Sequence, residues 1–250
     1  MSEVIIKLHN IYKSFEEKHV LQGFNLEVLS GETFVILGPS GCGKSVALKI
    51  ITGLLKADCG KVEIFGQDVS NFQEKDWSKI RRNFGFLFQN SALFDSLNVE
   101  DNIAFSLRQS FDYSDEEIKE CIIKNLKLIG LPGIEKKMPS ELSGGMKKRV
   151  GLARAIALNP KVIFYDEPTT GLDPIRASGI DNLINKLKEK LNITSLVITH
   201  DLKSAFSIAD RIGLHYNGKI QNICTADEFQ KSTNSMVQQF LSGSTIGPIQ

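Results

Sequence analysis

The chain has 250 residues, with 30 Lys+Arg, 29 Asp+Glu and a formal charge of +1. That length is ample for a buried core in one large domain or two small ones. With 42% hydrophobic and 24% charged residues the composition excludes intrinsic disorder, and near-neutral charge gives no electrostatic reason to expect nucleic acid as a partner.

No apolar run approaches the ~18–20 residues of a bilayer span. Met1-Ser2-Glu3-Val4 shows no basic region leading into an apolar segment, so no secretory signal is expected. A membrane role would then be exercised from one side, through a partner. The cysteines at 42, 59, 121 and 224 have no C-x-x-C spacing, and free thiols in a reducing compartment are expected.

In chain order, Val4–Leu8 and Val20–Val28 have strand-like alternation, and Gly31-Glu32 reads as a turn. Thr33–Leu37 is a continuous apolar run, as in a strand buried on both faces of a parallel sheet. Gly38-Pro39-Ser40-Gly41-Cys42-Gly43-Lys44-Ser45 follows, and Val46, Leu48, Ile50 and Ile51 continue with helical character until Gly53. Phe84–Phe88 is another strand-like run and ends at Gln89.

The middle changes character. Val99, Ile103 and Leu107 define one helix face. Ser114-Asp115-Glu116-Glu117 reads as a capping box, followed by a stripe at Ile118, Ile122, Leu126 and Ile129. A third helix is expected after Ser143. Strand signals return at Val162–Tyr165 and Ser195–Thr199, with a helical stretch between Pro174 and Leu191. Ser242–Gln250 reads as a surface tail. The whole is an α/β nucleotide domain with a helical insertion.

Residues 38–45 match G-x-x-x-x-G-K-[ST] in full. Such a loop curls until several backbone N–H groups converge on polyphosphate at a helix N-terminus. Lys44 would supply charge to the β- and γ-phosphates, and the Ser45 hydroxyl would ligate Mg²⁺. Asp166 and Glu167 end a hydrophobic strand, where ligands of open α/β sheets sit. Asp166 could hold the Mg²⁺ shell, and Glu167 could polarise an attacking water. His200 ends the next strand and is assigned a γ-phosphate contact. The Gln89 amide could reach Mg²⁺ or the water. Leu142-Ser143-Gly144-Gly145-Met146 opens a helix and offers a second anion site. Lys147-Lys148-Arg149 reads as a solvated face of that helix.

These elements, in this order and over nearly the whole chain, resemble the ATP-binding cassette (ABC) ATPases. The resemblance rests on residues 38–45, Gln89, Leu142–Met146, Asp166-Glu167, Gly171-Leu172-Asp173 and His200. It implies a P-loop (RecA-like) core with an N-terminal antiparallel β-subdomain and an inserted α-helical subdomain. The core would be 1–89 and 160–230, the helical subdomain 90–159, and the tail 231–250. It also implies ATP and Mg²⁺ as cofactors, with Glu167, His200 and Gln89 catalytic and Ser45, Gln89 and Asp166 on the metal. Two copies would dimerise head to tail, with ATP between one phosphate loop and the Ser143, Gly144 and Gly145 of the other. Phe15 would stack on adenine, and Asp173 would carry communication between the two sites.

Within that family the chain resembles the Mla/Mkl (MlaF-like) type. The likeness lies in Phe88–Val99, Lys44-Ser45-Val46, the Ser-Gly-Gly-Met signature and the tail with Gly247-Pro248-Ile249. Met146 in place of Gln, and Val46 in place of Thr, fit the same subgroup. The resemblance implies an ATPase peripheral to the cytoplasmic face of the inner membrane. It would drive phospholipid movement through an integral membrane permease that works with an MCE-domain lipid-binding protein. Leu93, Phe94 and Leu97 would either contact the permease or pack in the core. Another solute, such as a ribonucleotide, is the alternative cargo. A soluble, non-transport cassette ATPase is the alternative class. The DNA-maintenance version is opposed by the absence of sustained heptads between Lys44 and Asp166.

Overall fold

The computed structural model describes residues 3–110 and 112–249; Met1, Ser2 and Gln250, on which parts of the terminal readings fall, lie outside the described residues. The chain divides into two compact units. One comprises the residues up to Arg81 and those from Thr194 onward, and the other is Arg82–Ile193.

The first unit starts with a long antiparallel hairpin, β1 (Val4–Phe15) and β2 (Lys18–Leu29), closed where Phe15 pairs with Lys18. Alternation buries Ile6, Leu8 and Ile11 from one strand and Phe24, Leu26 and Val28 from the other. After the expected turn comes β3 (Thr33–Leu37), buried along its whole length. It leads through the glycine loop into α1 (Lys44–Ile51), which buries Ala47, Leu48, Ile50 and Ile51. β4 (Cys59–Ile64) pairs with β1, and β5 (Gln67–Asp68) pairs with β4, giving an antiparallel sheet of order β2-β1-β4-β5. Helix α2 (Glu74–Arg81) closes this segment, with Trp77 and Ile80 buried.

The second unit begins with β6 (Phe84–Leu87). The next helices are α3 (Val99–Ser110) and α4 (Asp115–Leu128). Their buried faces include the predicted stripes, Val99-Ile103-Leu107 and Ile118-Ile122-Leu126. The Ser114–Glu117 capping box forms as read. Asn102 is fully buried in α3. Its amide donates to the carbonyls of Phe94 (3.1 Å) and Leu97 (2.9 Å), pinning the loop before the helix. A single 3-10 turn (Pro139–Glu141) leads into α5 (Gly144–Ala155). β7 (Val162–Asp166) runs parallel to β6, and α6 (Pro174–Leu191) completes the unit.

Returning to the first unit, β8 (Thr194–Thr199) is followed by α7 (Leu202–Ile208) and β9 (Arg211–Tyr216). Strands β8 and β9 both pair with β3 in parallel. β10 (Lys219–Thr225) adds an antiparallel edge to β9 and leads to α8 (Ala226–Gln230). The segment read as a tail contains a further helix, α9 (Ser235–Ser242). Its exposed end is tied back rather than loose. The Gln239 amide donates to the carbonyls of Ser244 (3.1 Å) and Ile249 (2.8 Å) and accepts from the Ile249 N–H (2.6 Å). No helix among the described residues is long and apolar enough to cross a membrane.

Candidate active site

In the first unit the glycine loop leaves the C-terminal end of β3 and enters α1. Gly43 caps the helix at φ 108°, and a Cβ there would lie 2.7 Å from Val20 Cγ1. Only glycine fits this point, in both conformation and space. Lys44 is buried, and its ammonium donates to the carbonyls of Gly38 (2.7 Å) and Pro39 (2.9 Å). Its charge thus lies against its own loop. Ser45, Ser40 and Gly41 are on or near the surface, where a phosphate could reach them.

The parallel register brings a second predicted residue to this end of the sheet. Leu37 pairs with Thr199, so Gly38 and His200 leave adjacent strands side by side, at strand spacings of ~4.8 Å. His200 is exposed. The next residue, Asp201, caps α7 by accepting from the N–H groups of Lys203 and Ser204. Phe15 is 44% exposed at the tip of the hairpin, with the Lys13 ammonium 5.5 Å from its ring centre. An open hollow of about 270 Å³ flanks the loop, walled by Lys18, His19, Tyr216 and the 39–42 backbone.

Below the loop lies a residue that sequence reasoning missed. His215 is fully buried on β9. Its Nδ1 is 3.5 Å from Cys42 Sγ, and its ring meets Phe24 edge-on at 5.2 Å. Nε2 has no hydrogen-bond partner among the described residues. Burial, with the nearby Lys44 charge, pushes the imidazole down to about 4. It is therefore a neutral floor for the phosphate loop. Histidine within a strand carries no sequence signal of that kind.

In the second unit the β6–β7 register does the same work. Leu87 pairs with Tyr165, so Gln89 and the pair Asp166-Glu167 emerge from one end of two adjacent strands. Glu167 takes a left-handed backbone, φ 49°. Thr170 holds it, donating from Oγ1 to Oε2 (3.1 Å) and from its N–H to the carbonyl (3.3 Å). Ser143 caps α5 by accepting from the Met146 N–H, leaving Ser143 and Gly144 exposed. A Cβ on Gly145 would lie 3.7 Å from Arg176, one turn past Asp173. Asp173 caps α6, and the Arg176 backbone N–H holds its carboxyl below the usual carboxylate range. The signature and the Asp173 segment are thus neighbours.

One sequence reading is overturned here. Lys147-Lys148-Arg149 is not a solvated face: Lys148 is only 4% exposed. Its ammonium donates to the Gln89 carbonyl and, at 3.3 Å, to the Glu167 carbonyl. Burial lowers its pKa, and the charges of Asp166 and Glu167 push back upward. Arg149 Nη1 donates to the Ile129 carbonyl (3.2 Å). The signal was present as spacing, because Lys148 shares a helix stripe with Gly151 and Ala155, which pack inward. Arg154, further along the same helix, donates to the carbonyls of Ser91 (2.8 Å) and Ala92 (2.6 Å).

An apolar hollow of about 410 Å³ opens beside the 88–94 segment, lined by Phe86, Phe88, Phe94, Phe105 and Arg154. Phe88, Phe94 and Phe105 each keep more than a third of their surface exposed. Leu93 and Leu97 are half-buried. Packing therefore accounts for part of Leu93 and Leu97, and for the face of Phe94 that meets Phe105 at 4.6 Å, while 41% of Phe94 stays exposed.

Comparison with known proteins agrees with this architecture. Residues 21–170 match the family model described as ABC transporter. A Mycobacterium leprae protein named "Probable ribonucleotide transport ATP-binding protein mkl" is 40% identical over 98% of this chain and 71% of its own length. The "Intermembrane phospholipid transport system ATP-binding protein MlaF" of Haemophilus influenzae is 38% identical over 100% of this chain and 94% of its own. The dimeric ATP-binding cassette MJ0796, solved with ADP and Pi in a post-hydrolysis state, superposes with a TM-score of 0.81. It is 33% identical, and the match covers 89% of this chain and 99% of that one. The protein belongs to the ABC transporter family, as an ATP-binding, ATP-hydrolysing subunit. Within the family it sides with the Mla/Mkl group.

Proposed function

We propose that this subunit hydrolyses ATP to drive phospholipid transport between membranes, through an integral membrane permease and an MCE-domain lipid-binding partner. The observation that carries the cargo assignment is the likeness to the phospholipid-transport ATPase of Haemophilus influenzae, which runs the length of both chains. The subunit works as a head-to-tail dimer on the cytoplasmic face of the inner membrane. A dimeric cassette as a structural relative supports the pairing. The hollow at Phe88, Phe94 and Phe105 offers the apolar surface a permease loop needs.

In this reading residues 38–43 wrap the phosphates, with backbone N–H donors from Gly38, Ser40, Gly41, Cys42 and Gly43 while Pro39 shapes the turn, and Lys44 adds charge. Phe15 stacks on adenine. Glu167 orients the attacking water, with His200 and Gln89 beside the γ-phosphate. Ser143, Gly144 and Gly145 serve the partner's ATP, and Asp173 reports between the two sites. Mg²⁺ fits the donor set, since the Ser45 hydroxyl, the Asp166 carboxylate and the Gln89 amide oxygen are hard oxygen donors. Mg²⁺ commonly completes such a shell with phosphate and water. When bound, it neutralises phosphate charge.

Ribonucleotide is the second cargo reading, favoured by the name of the Mycobacterium leprae relative. Gentle detergent purification of the tagged protein from its own membranes decides between them. Co-purification of a permease, an MCE-domain protein and bound phospholipid is the expected result. A permease carrying nucleotide in their place, or no membrane partner at all, refutes the lipid reading. For the mechanism, Glu167→Gln is expected to keep ATP binding and lose roughly 100-fold or more in turnover. Turnover at the wild-type rate would remove Glu167 from its role.

A further inference from the structure

We infer that Lys148 is a positioning residue for hydrolysis, one that fixes the backbone of Gln89 against the backbone of Glu167. The inference rests on the proposed roles of those two residues and adds one that neither motif contains.

Lys148 sits on the signature helix, 59 residues from Gln89 and 19 from Glu167 in sequence. One ammonium therefore gathers three separate motifs. Among the described residues its hydrogen bonds go to these two main-chain carbonyls, so it acts through main chain rather than on substrate. Both carbonyls belong to segments that need holding. Glu167 is left-handed at φ 49°, a conformation that L-residues seldom adopt. Thr170 holds the Glu167 side chain and carbonyl, and Lys148 donates to the same carbonyl. The segment after Gln89 is held in the same way. Ser91 and Ala92 are also left-handed, and Arg154 takes their carbonyls.

The helix approaches closely enough for this because Gly151 lies between the two cations. A Cβ there would fall 2.9 Å from Leu87 Cδ1. Thus α5 presents cation, gap and cation to the chain that leaves β6. A side chain that serves packing alone has no need of a buried ammonium, which is costly to desolvate. At Lys148 the cost is offset by two carbonyl acceptors and by the carboxylates of Asp166 and Glu167.

The test uses the full chain with its membrane partner, and compares Lys148→Met with Lys148→Arg. Methionine keeps the length and removes the donors; arginine keeps donors and charge. Lys148→Met is expected to lower kcat by about tenfold or more, with KM for MgATP within about twofold and ATP binding retained. Lys148→Arg is expected to recover kcat to within about threefold of wild type. Wild-type kcat in Lys148→Met overturns the inference. So does an equal loss in both variants, or loss of a cooperative melt in Lys148→Met, since the role would then be structural. Glu167→Gln is measured alongside. If that variant turns over ATP normally, the underlying assignment has failed; if it is inactive while Lys148→Met is normal, only the Lys148 role falls.

Discussion

Acid should unfold this protein partly through one residue. His215 lies fully buried beneath the phosphate loop, with its pKa brought to about 4 from an ordinary 6.5. Between those values the unfolded chain holds a proton that the folded chain refuses. The contribution of this residue is therefore whole above pH 6.5 and is lost as pH falls toward 4. At ~1.4 kcal/mol per pH unit the loss is about 3 kcal/mol, a large share of a typical domain's stability. Urea unfolding of wild type and His215→Leu, measured from pH 7 to pH 4.5, isolates the effect, because every other titrating group is common to both. Leucine has a similar bulk and no proton to gain. The wild-type midpoint should fall more steeply with acid than that of the variant, so the difference between the two curves changes with pH. Parallel curves would refute the reasoning and show that the imidazole is accessible to protons in the fold.

Gly43→Ala should disable the phosphate loop, because alanine faces both a φ of 108° and Val20 at 2.7 Å. We expect a cost of roughly 2–4 kcal/mol and loss of the thermal stabilisation by ATP, read in melting curves with and without nucleotide. Ser114→Ala removes a capping box on a helix that takes no part in catalysis. It should cost about 1 kcal/mol in urea unfolding, with turnover unchanged. Gln239→Leu removes every hydrogen bond that Gln239 makes to Ser244 and Ile249. Amide exchange at 244–249 should then accelerate, while exchange in β3 and β8 stays the same; equal protection before and after would show that the end is held by something else.

Chemistry that depends on residue type and local spacing was written in the chain. The loop at 38–45, the Ser114 capping box and the buried β3 run each follow from a few adjacent residues, and each forms where it was read. Local patterns suffice there because the forces are local: φ freedom at glycine, a hydroxyl within reach of its own helix, five apolar residues in extended chain. That Gly38 and His200, and likewise Gln89 and Asp166-Glu167, leave the same end of adjacent strands needed the strand register, which is set by contacts between distant segments.

The misreadings share one cause. Lys147-Lys148-Arg149 looked solvated because charge usually prefers water. Whether Lys148 is buried depends on which face of α5 meets β6, and that is decided by Gly151 fitting against Leu87. His215 is a plain strand residue until β9 pairs with β3 and brings it under the loop. The tail lies on the surface as read, and what the sequence did not show is that one glutamine on α9 anchors it. The sequence by itself therefore determined what kind of chemistry the protein performs, through groups whose geometry is made within a few residues. Only the tertiary structure decided which buried charges and carbonyls hold those groups in place, because burial is a property of what packs against a residue.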